Sequence, residues 1–326
     1  MKQEIPLPPL RLRSITGDSR EESFNNPTGR LIWGDFECLG RPPDQVYEAI
    51  LDFGCGCGRQ ARQLMLQESP PSRYLGVDVS PELIDWCHGN LTPCDPHFTF
   101  RHHNVFSATY APQNDRVRVS KLPAETGEFT LFNAHSVFTH LHWDQSEFYL
   151  KEAKRILKKW GVIRATWLFI DKKIFPQMNQ NQHCVYIQEK DPTQAVFYDI
   201  DDTFRLFKSL DLAIVKCNWT KFYGKPNELV LGRASDYQDI SASLEIPNVI
   251  VGSDASETLL ASHFSGWRLM KGEELQKKLQ DTPGVDSVRL DIANAVALVS
   301  AHRDQEIDRT GIIKHGERYG FRVDFI

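Results

Sequence analysis

Residues Ile50 to Arg59 read Ile-Leu-Asp-Phe-Gly-Cys-Gly-Cys-Gly-Arg. An apolar strand runs into an acidic residue, Asp52, and then into three glycines spaced two apart, Gly54, Gly56 and Gly58. A glycine turn between a buried strand and a helix lets a ligand come close to the backbone, and the helix start behind it offers N–H donors to an anionic group. Dinucleotide sites want a third glycine five positions after the first. Counted from Gly54 that position is Arg59, which argues against a nicotinamide enzyme.

Outward from the turn, a helical stretch (Gln60 to Glu68) ends at Pro70-Pro71, and the chain continues Arg73-Tyr-Leu-Gly-Val-Asp-Val-Ser-Pro-Glu. Asp78 closes this second apolar strand twenty residues beyond Gly58, the separation expected of a carboxylate that accepts ribose hydroxyls at the neighbouring strand tip. Ser80, Pro81 and Glu82 then form a helix-start signal. Strand, glycine turn, helix, strand and acid in this order resemble motif I and its partner acid in class I S-adenosylmethionine (SAM) methyltransferases, where the turn wraps the methionine end of the cofactor. SAM is therefore the expected cofactor.

Composition narrows the partners. A formal charge of −5 and a pI near 6.1 disfavour a nucleic-acid surface, which needs clustered Lys and Arg. No stretch approaches the roughly 18 apolar residues needed to span a bilayer, and the N-terminus lacks a signal-peptide pattern, so a cytoplasmic protein is expected. Seven cysteines without a repeated C-x2-C pattern point to reduced thiols. Cys55 and Cys57 sit between glycines where small side chains are needed, so they are not read as a metal pair, and no metal is expected.

At 326 residues the chain exceeds one ordinary domain. Residues 1–45, rich in proline, read as a cap segment. From 46 to 243 strands near 48–53, 73–78, 97–102, 129–133 and 161–169 alternate with helices, which predicts a parallel sheet with helices on both faces. A helix is predicted over Asp144 to Lys159, ended by Gly161, with Leu157 and Trp160 on its apolar face. The stretch from Asp171 to Ile200 reads as a lid. A helix over Asp202 to Ser209 and a strand over Leu212 to Cys217 follow, then a closing antiparallel strand near Tyr237 to Ser241. Asp199, Asp201 and Asp202 read as surface caps of that helix. Residues 244–326 read as a small α+β module, ferredoxin-like in pattern, that serves docking or homodimerisation. The fold class is thus α/β, a Rossmann-like seven-stranded methyltransferase sheet with a C-terminal α+β appendage.

Strand ends supply the candidate cofactor contacts: Asp52, Gly54, Cys55, Gly56 and Gly58 at the first, Asp78 and Val79 at the second, Asn104 and Val105 at the third, and Asn133 at the fourth. Asn104 stands where such enzymes carry an Asp or Asn beside the adenine amine. After strand four, Phe132-Asn-Ala-His-Ser-Val-Phe-Thr-His-Leu-His gathers His135, His140 and His142, and an imidazole titrating near neutrality suits a general base. Together with Ala165-Thr-Trp-Leu-Phe-Ile-Asp and Asp191-Pro-Thr-Gln-Ala-Val, these segments resemble a bacterial family of SAM-dependent methyltransferases, many without an assigned substrate and several encoded with glycan or secondary-metabolite pathways. The resemblance covers roughly residues 45–243 and implies a base at His140 alone; His135, in the same segment, is the alternate candidate by its position after strand four. Lys158-Lys159-Trp160-Gly161 departs from the family's Lys-Pro-Gly-Gly turn. The expected reaction is methyl transfer to an oxygen of a small or medium-sized acceptor. A catalytically silent SAM- or S-adenosylhomocysteine-binding scaffold is the rival, and the retained glycines, acid and histidines argue against it.

Overall fold

The computed structural model describes residues 4–170, 183–186, 195–218, 226–237, 275–291, 296–302, 305, 307–318 and 322–326. The chain divides into two units: residues 1–167, 203–219 and 226–246 form the first, and 168–202, 220–225 and 247–326 the second.

The first unit is built on β1 (Ala49–Phe53), β2 (Arg73–Asp78), β3 (Phe98–His102), β4 (Phe129–Ala134) and β5 (Leu157–Ile170), joined in parallel in the order β3-β2-β1-β4-β5. The antiparallel strand β9 (Asn227–Arg233) pairs with β5, and β8 (Leu212–Asn218) pairs antiparallel with β9. The expected seven-stranded sheet with an antiparallel end is therefore present. Every residue of β1 and β4 is buried, the pattern of strands covered on both faces. The helices α3 (Arg59–Met65), α4 (Pro81–Asn90) and α5 (Trp143–Ile156) connect them. The N-terminal segment contributes α1 (Leu10–Ile15) and α2 (Pro43–Val46), and its Phe36, Leu39, Val46 and Tyr47 join Ile50, Leu131, Val162 and Val230 in one apolar core. Residues 1–45, opaque as sequence, are thus partly core.

Several boundaries differ from expectation. The helix predicted to Lys159 stops at Ile156, and Leu157 already pairs with Phe129 in the sheet. Trp160 is 41% exposed with φ +64°, so it is a left-handed turn residue and not part of an apolar helix face. Its carbonyl accepts bonds from Arg41 (2.6 Å) and the Tyr237 hydroxyl (2.6 Å), and its N–H donates to Asp236 (2.9 Å), which holds this conformation without a glycine. The closing strand lies at Asn227–Arg233, earlier than Tyr237; residues 238–241 fall outside the described residues.

In the second unit the last residues of β5 pair in parallel with β7 (Val196–Asp199), which pairs antiparallel with β6 (Cys184–Tyr186). Two parts of the expected lid, Cys184–Tyr186 and Val196–Asp199, are therefore paired strands, with Phe197 and Tyr198 buried; 171–182 and 187–194 fall outside the described residues. Asp199 accepts from the Asp202 N–H (2.9 Å) at the start of α6 (Ile200–Ser209), a cap as expected, but both aspartates are buried rather than on the surface, and Asp202 pairs with His183 (2.7 Å). Nearer the C-terminus, β10 (Val285–Asp291) pairs antiparallel with β11 (Val296–Ala301), and β12 (Arg322–Phe325) pairs in parallel with β11 across the helix Arg309–Arg318. A ferredoxin-like module splits its βαβ pair with a strand between the parallel partners. Here they are adjacent, so the ferredoxin-like assignment does not hold for the described strands.

Packing at the glycine turn gives a test of the fold. A Cβ on Gly54, whose φ is +78°, would lie 2.4 Å from Val137 Cγ2. Gly54→Ala should destabilise the protein by about 1–3 kcal/mol, read as a lower midpoint in thermal unfolding. An unchanged midpoint would mean that the loop carrying Val137 yields without cost.

Candidate active site at the carboxyl ends of the central strands

The turn after β1 folds onto the neighbouring strand. Gly54 and Cys55 N–H groups donate to the Val77 carbonyl (2.7 and 3.2 Å), and all three glycines take positive φ. Their Cβ directions meet the protein's own side chains: Val137 at Gly54, the Thr16 methyl at Gly56 (2.7 Å), Leu91 at Gly58 (2.5 Å). The spacing thus also serves packing, and Thr16 of the N-terminal segment lies directly on the turn. At the tip of β2, Asp78 accepts from Gly56 N–H (2.8 Å) through one oxygen and from Ser80 N–H (2.9 Å) through the other. Burial pushes its carboxyl up, against the pull of those two amides. Each carboxylate oxygen keeps a lone pair for a hydroxyl donor. The acceptor therefore stands beside a left-handed glycine turn.

Beneath this edge runs a buried polar row. Register aligns Asp52 with Asn133 and Asn133 with Arg164 on adjacent strands. Asp52 accepts from the Tyr74 hydroxyl (2.6 Å) and from the Asn133 amide (2.6 Å), which also donates to Gln60. Arg164 donates to the Asn133 oxygen (2.7 Å), pairs with Glu228, and lies 5.0 Å from the Trp33 ring centroid. The candidates Asp52 and Asn133 are therefore committed to one another and shape the site from within. Arg164, Tyr74, Gln60 and Glu228 were missed; an arginine inside the apolar run Val162-Ile-Arg-Ala was the available signal.

The candidates beyond β2 and β3 are held by a residue with no sequence signature. Asn114 donates to the carbonyls of Val79 (2.8 Å) and Val105 (3.0 Å), tying the two loops together. Asn104 is exposed, and its amide is engaged at both ends by Asp115, donating to its carboxylate (2.6 Å) and accepting from its N–H (3.2 Å).

The histidines separate by environment. His103 is buried against the Tyr149 hydroxyl (2.9 Å), and desolvation pushes it down to about 4. His142 caps α5 through a reciprocal bond pair with Gln145. His135 follows β4 directly, and burial, with the charges of Arg164 and Arg59 behind it, pushes it down to about 3. The next residue, Ser136, is a non-glycine in the left-handed region (φ +57°), its N–H held by the Thr166 hydroxyl (2.7 Å). His140 ends a short 3-10 turn, edge-on to Tyr110, whose hydroxyl lies 3.4 Å from its Nε2. Among the described residues no cluster of His, Cys, Asp and Glu is placed to hold a metal, and no helix is long and apolar enough to cross a membrane.

The sheet order and the glycine–acid edge define a Rossmann-like methyltransferase domain. Residues 50–161 match the family model described as "Methyltransferase domain", and this segment is of the class I, SAM-dependent kind. Similar solved structures include a Pyrococcus horikoshii protein (17% identity, TM-score 0.39, covering 57% of this chain and 81% of that one). A TehB-like SAM-dependent methyltransferase of Corynebacterium glutamicum aligns at 16% identity and TM-score 0.36, over 57% and 80% of the two chains. Geranyl diphosphate C-methyltransferase of Streptomyces coelicolor aligns at 13% and 0.40, over 57% and 71%.

Two outcomes follow from this geometry. Asp78→Ala should weaken S-adenosylhomocysteine by about 2–3 kcal/mol in calorimetry, because a charged acceptor of two hydroxyls is lost; an unchanged constant would move the ribose contact elsewhere. The second is a pH dependence. His103 and His135 both lie below the ordinary imidazole value in the folded state, so the unfolded chain binds the extra protons. Stability should be full above about pH 6.5 and fall as the pH drops towards 4, measured by denaturant titration at each pH. His103→Gln should show a shallower loss.

Proposed function

We propose that this protein transfers the methyl group of SAM to a hydroxyl oxygen of a small or medium-sized acceptor, a sugar, glycan lipid or secondary metabolite, with His140 as general base. The observation that carries the assignment is the sorting of histidines after β3 and β4: His103 is buried on Tyr149, His142 is a helix cap, and His135 is held neutral far below physiological pH. A group at about 3 is a poor Brønsted base at neutral pH. In this reading His140, partly exposed at the end of the 3-10 turn after β4, takes the proton. Support for a hydroxyl acceptor is the presence of such a base, since an amine or acidic phenol needs less help.

In this reading Asp78 holds the ribose and the turn Gly54 to Gly58 lies along the methionine end. Asp52 and Asn133 fix the strand ends. Tyr110 orients the His140 ring. SAM supplies an electron-poor methyl carbon, and the protein's part is alignment of the acceptor oxygen with it, removal of the hydroxyl proton and exclusion of water.

His140→Ala should lower kcat by roughly 10²- to 10⁴-fold while SAM affinity stays nearly constant. Turnover is measured as S-adenosylhomocysteine release over a panel of hydroxyl acceptors, and binding by calorimetry. Wild-type turnover in the variant would leave catalysis to proximity alone.

A further inference from the structure

The 3-10 turn that carries His140 spans only Phe138–His140, too short a piece to hold an orientation by its own hydrogen bonds. Its placement has to come from the side chains beside the histidine. Phe138 is fully buried and stacks on Trp167 of β5, with ring centroids 4.2 Å apart and planes 20° from parallel. Trp167 is itself fully buried and forms a T-shaped pair with Phe207 of α6, centroids 5.5 Å apart. Two residues before Phe138, the Ser136 N–H is held by the hydroxyl of Thr166, the neighbour of Trp167 (2.7 Å). The turn is thus fastened to β5 by a core aromatic stack and by a hydroxyl.

Val137, between these two anchors, lies on the glycine turn. Its Cγ2 would stand 2.4 Å from a Cβ at Gly54, so the valine fills the space that the glycine leaves. The Val137 carbonyl accepts the His140 N–H (2.8 Å). One residue therefore touches the glycine turn with its side chain and holds the backbone of the histidine with its carbonyl. Both side chains suit the task, since a β-branched valine is stiff at χ1 and a packed aromatic ring has few rotamers. We propose that Val137 and Phe138 are positioning residues for His140: Phe138, through Trp167, fixes the turn on β5, and Val137 sets the histidine against the glycine turn. The inference rests on the reading of His140 as base and deepens it, because it names what sets the distance between that base and a cofactor lying on the turn. An error of about 1 Å in the place of a reacting group costs about a hundredfold in rate.

The test reads the imidazole itself, by NMR of the intact chain with isotope-labelled histidine, the His140 ring signals being assigned from their loss in His140→Gln. Spectra are recorded without ligand and with saturating S-adenosylhomocysteine for wild type, Val137→Ala, Val137→Thr, Phe138→Leu and Trp167→Phe. Wild type should give a single sharp set of His140 signals that shifts when S-adenosylhomocysteine binds. Val137→Ala should cut that shift by at least half, and Val137→Thr, which keeps the branched shape, should restore it. Phe138→Leu should broaden or split the His140 signals with and without ligand. Trp167→Phe keeps a ring against Phe138 and should leave them sharp, which separates loss of the stack from loss of the fold. An undiminished shift in Val137→Ala overturns the link to the glycine turn, and sharp, unmoved signals in Phe138→Leu overturn the clamp on β5; both leave the methyltransferase reading standing. A wild type that fails to bind S-adenosylhomocysteine in calorimetry overturns that reading instead, and the ligand-free spectra of Phe138→Leu still decide the clamp.

Discussion

The bond from Asn133 to Asp52 and the bond it receives from Arg164 fasten three neighbouring strands to one another through side chains, in addition to the ladder between their backbones. A guanidinium at the middle of a sheet is tolerable only when paired, since removing one partner of a buried ion pair costs about 3–5 kcal/mol. Arg164 therefore requires Glu228 and Asn133, Asn133 requires Asp52, and Asp52 requires Tyr74. This chain of obligations fixes the carboxyl ends of β1 and β4 against the middle of β5, and those two ends carry the glycine turn and the histidine segment. Site geometry is thus inherited from a polar row that is buried except at Glu228.

Left-handed backbone recurs along the same edge. Gly54, Gly56 and Gly58 adopt positive φ where neighbouring side chains leave no space for a Cβ, and Ser136 adopts it without the freedom of glycine. A left-handed non-glycine residue costs about 1–3 kcal/mol and persists only where its surroundings over-determine it. At Ser136 the Thr166 hydroxyl supplies part of that restraint. The strained residue directly follows His135, so the strain sets the direction in which the segment leaves β4.

Four histidines in related positions have four fates because of what surrounds them. Burial against Tyr149 makes His103 a neutral core group, and reciprocal bonding with Gln145 makes His142 a cap. Two guanidiniums and desolvation hold His135 neutral, while His140 meets Tyr110 at the site mouth. Burial and bonding partners, rather than residue type, divide them.

The order strand, glycine turn, helix, strand and Asp78 was legible because each signal is local: periodicity, turn chemistry and a fixed separation need no partner from elsewhere. That was enough for the parallel sheet and the cofactor class. The end of α5 was misplaced because Leu157 to Trp160 continue its apolar spacing, and only pairing of Leu157 with Phe129 pulls them into β5. The α+β character of the C-terminal module was legible, but its ferredoxin-like strand order was not, since the pattern of elements does not say which strands lie side by side. Arg164, Asn114 and the state of His135 depend on groups tens of residues distant in the chain. Sequence determined which chemical groups stand at the strand ends; only the tertiary structure decided which are paired, buried or left unsatisfied, because pairing and desolvation are properties of the assembled neighbourhood.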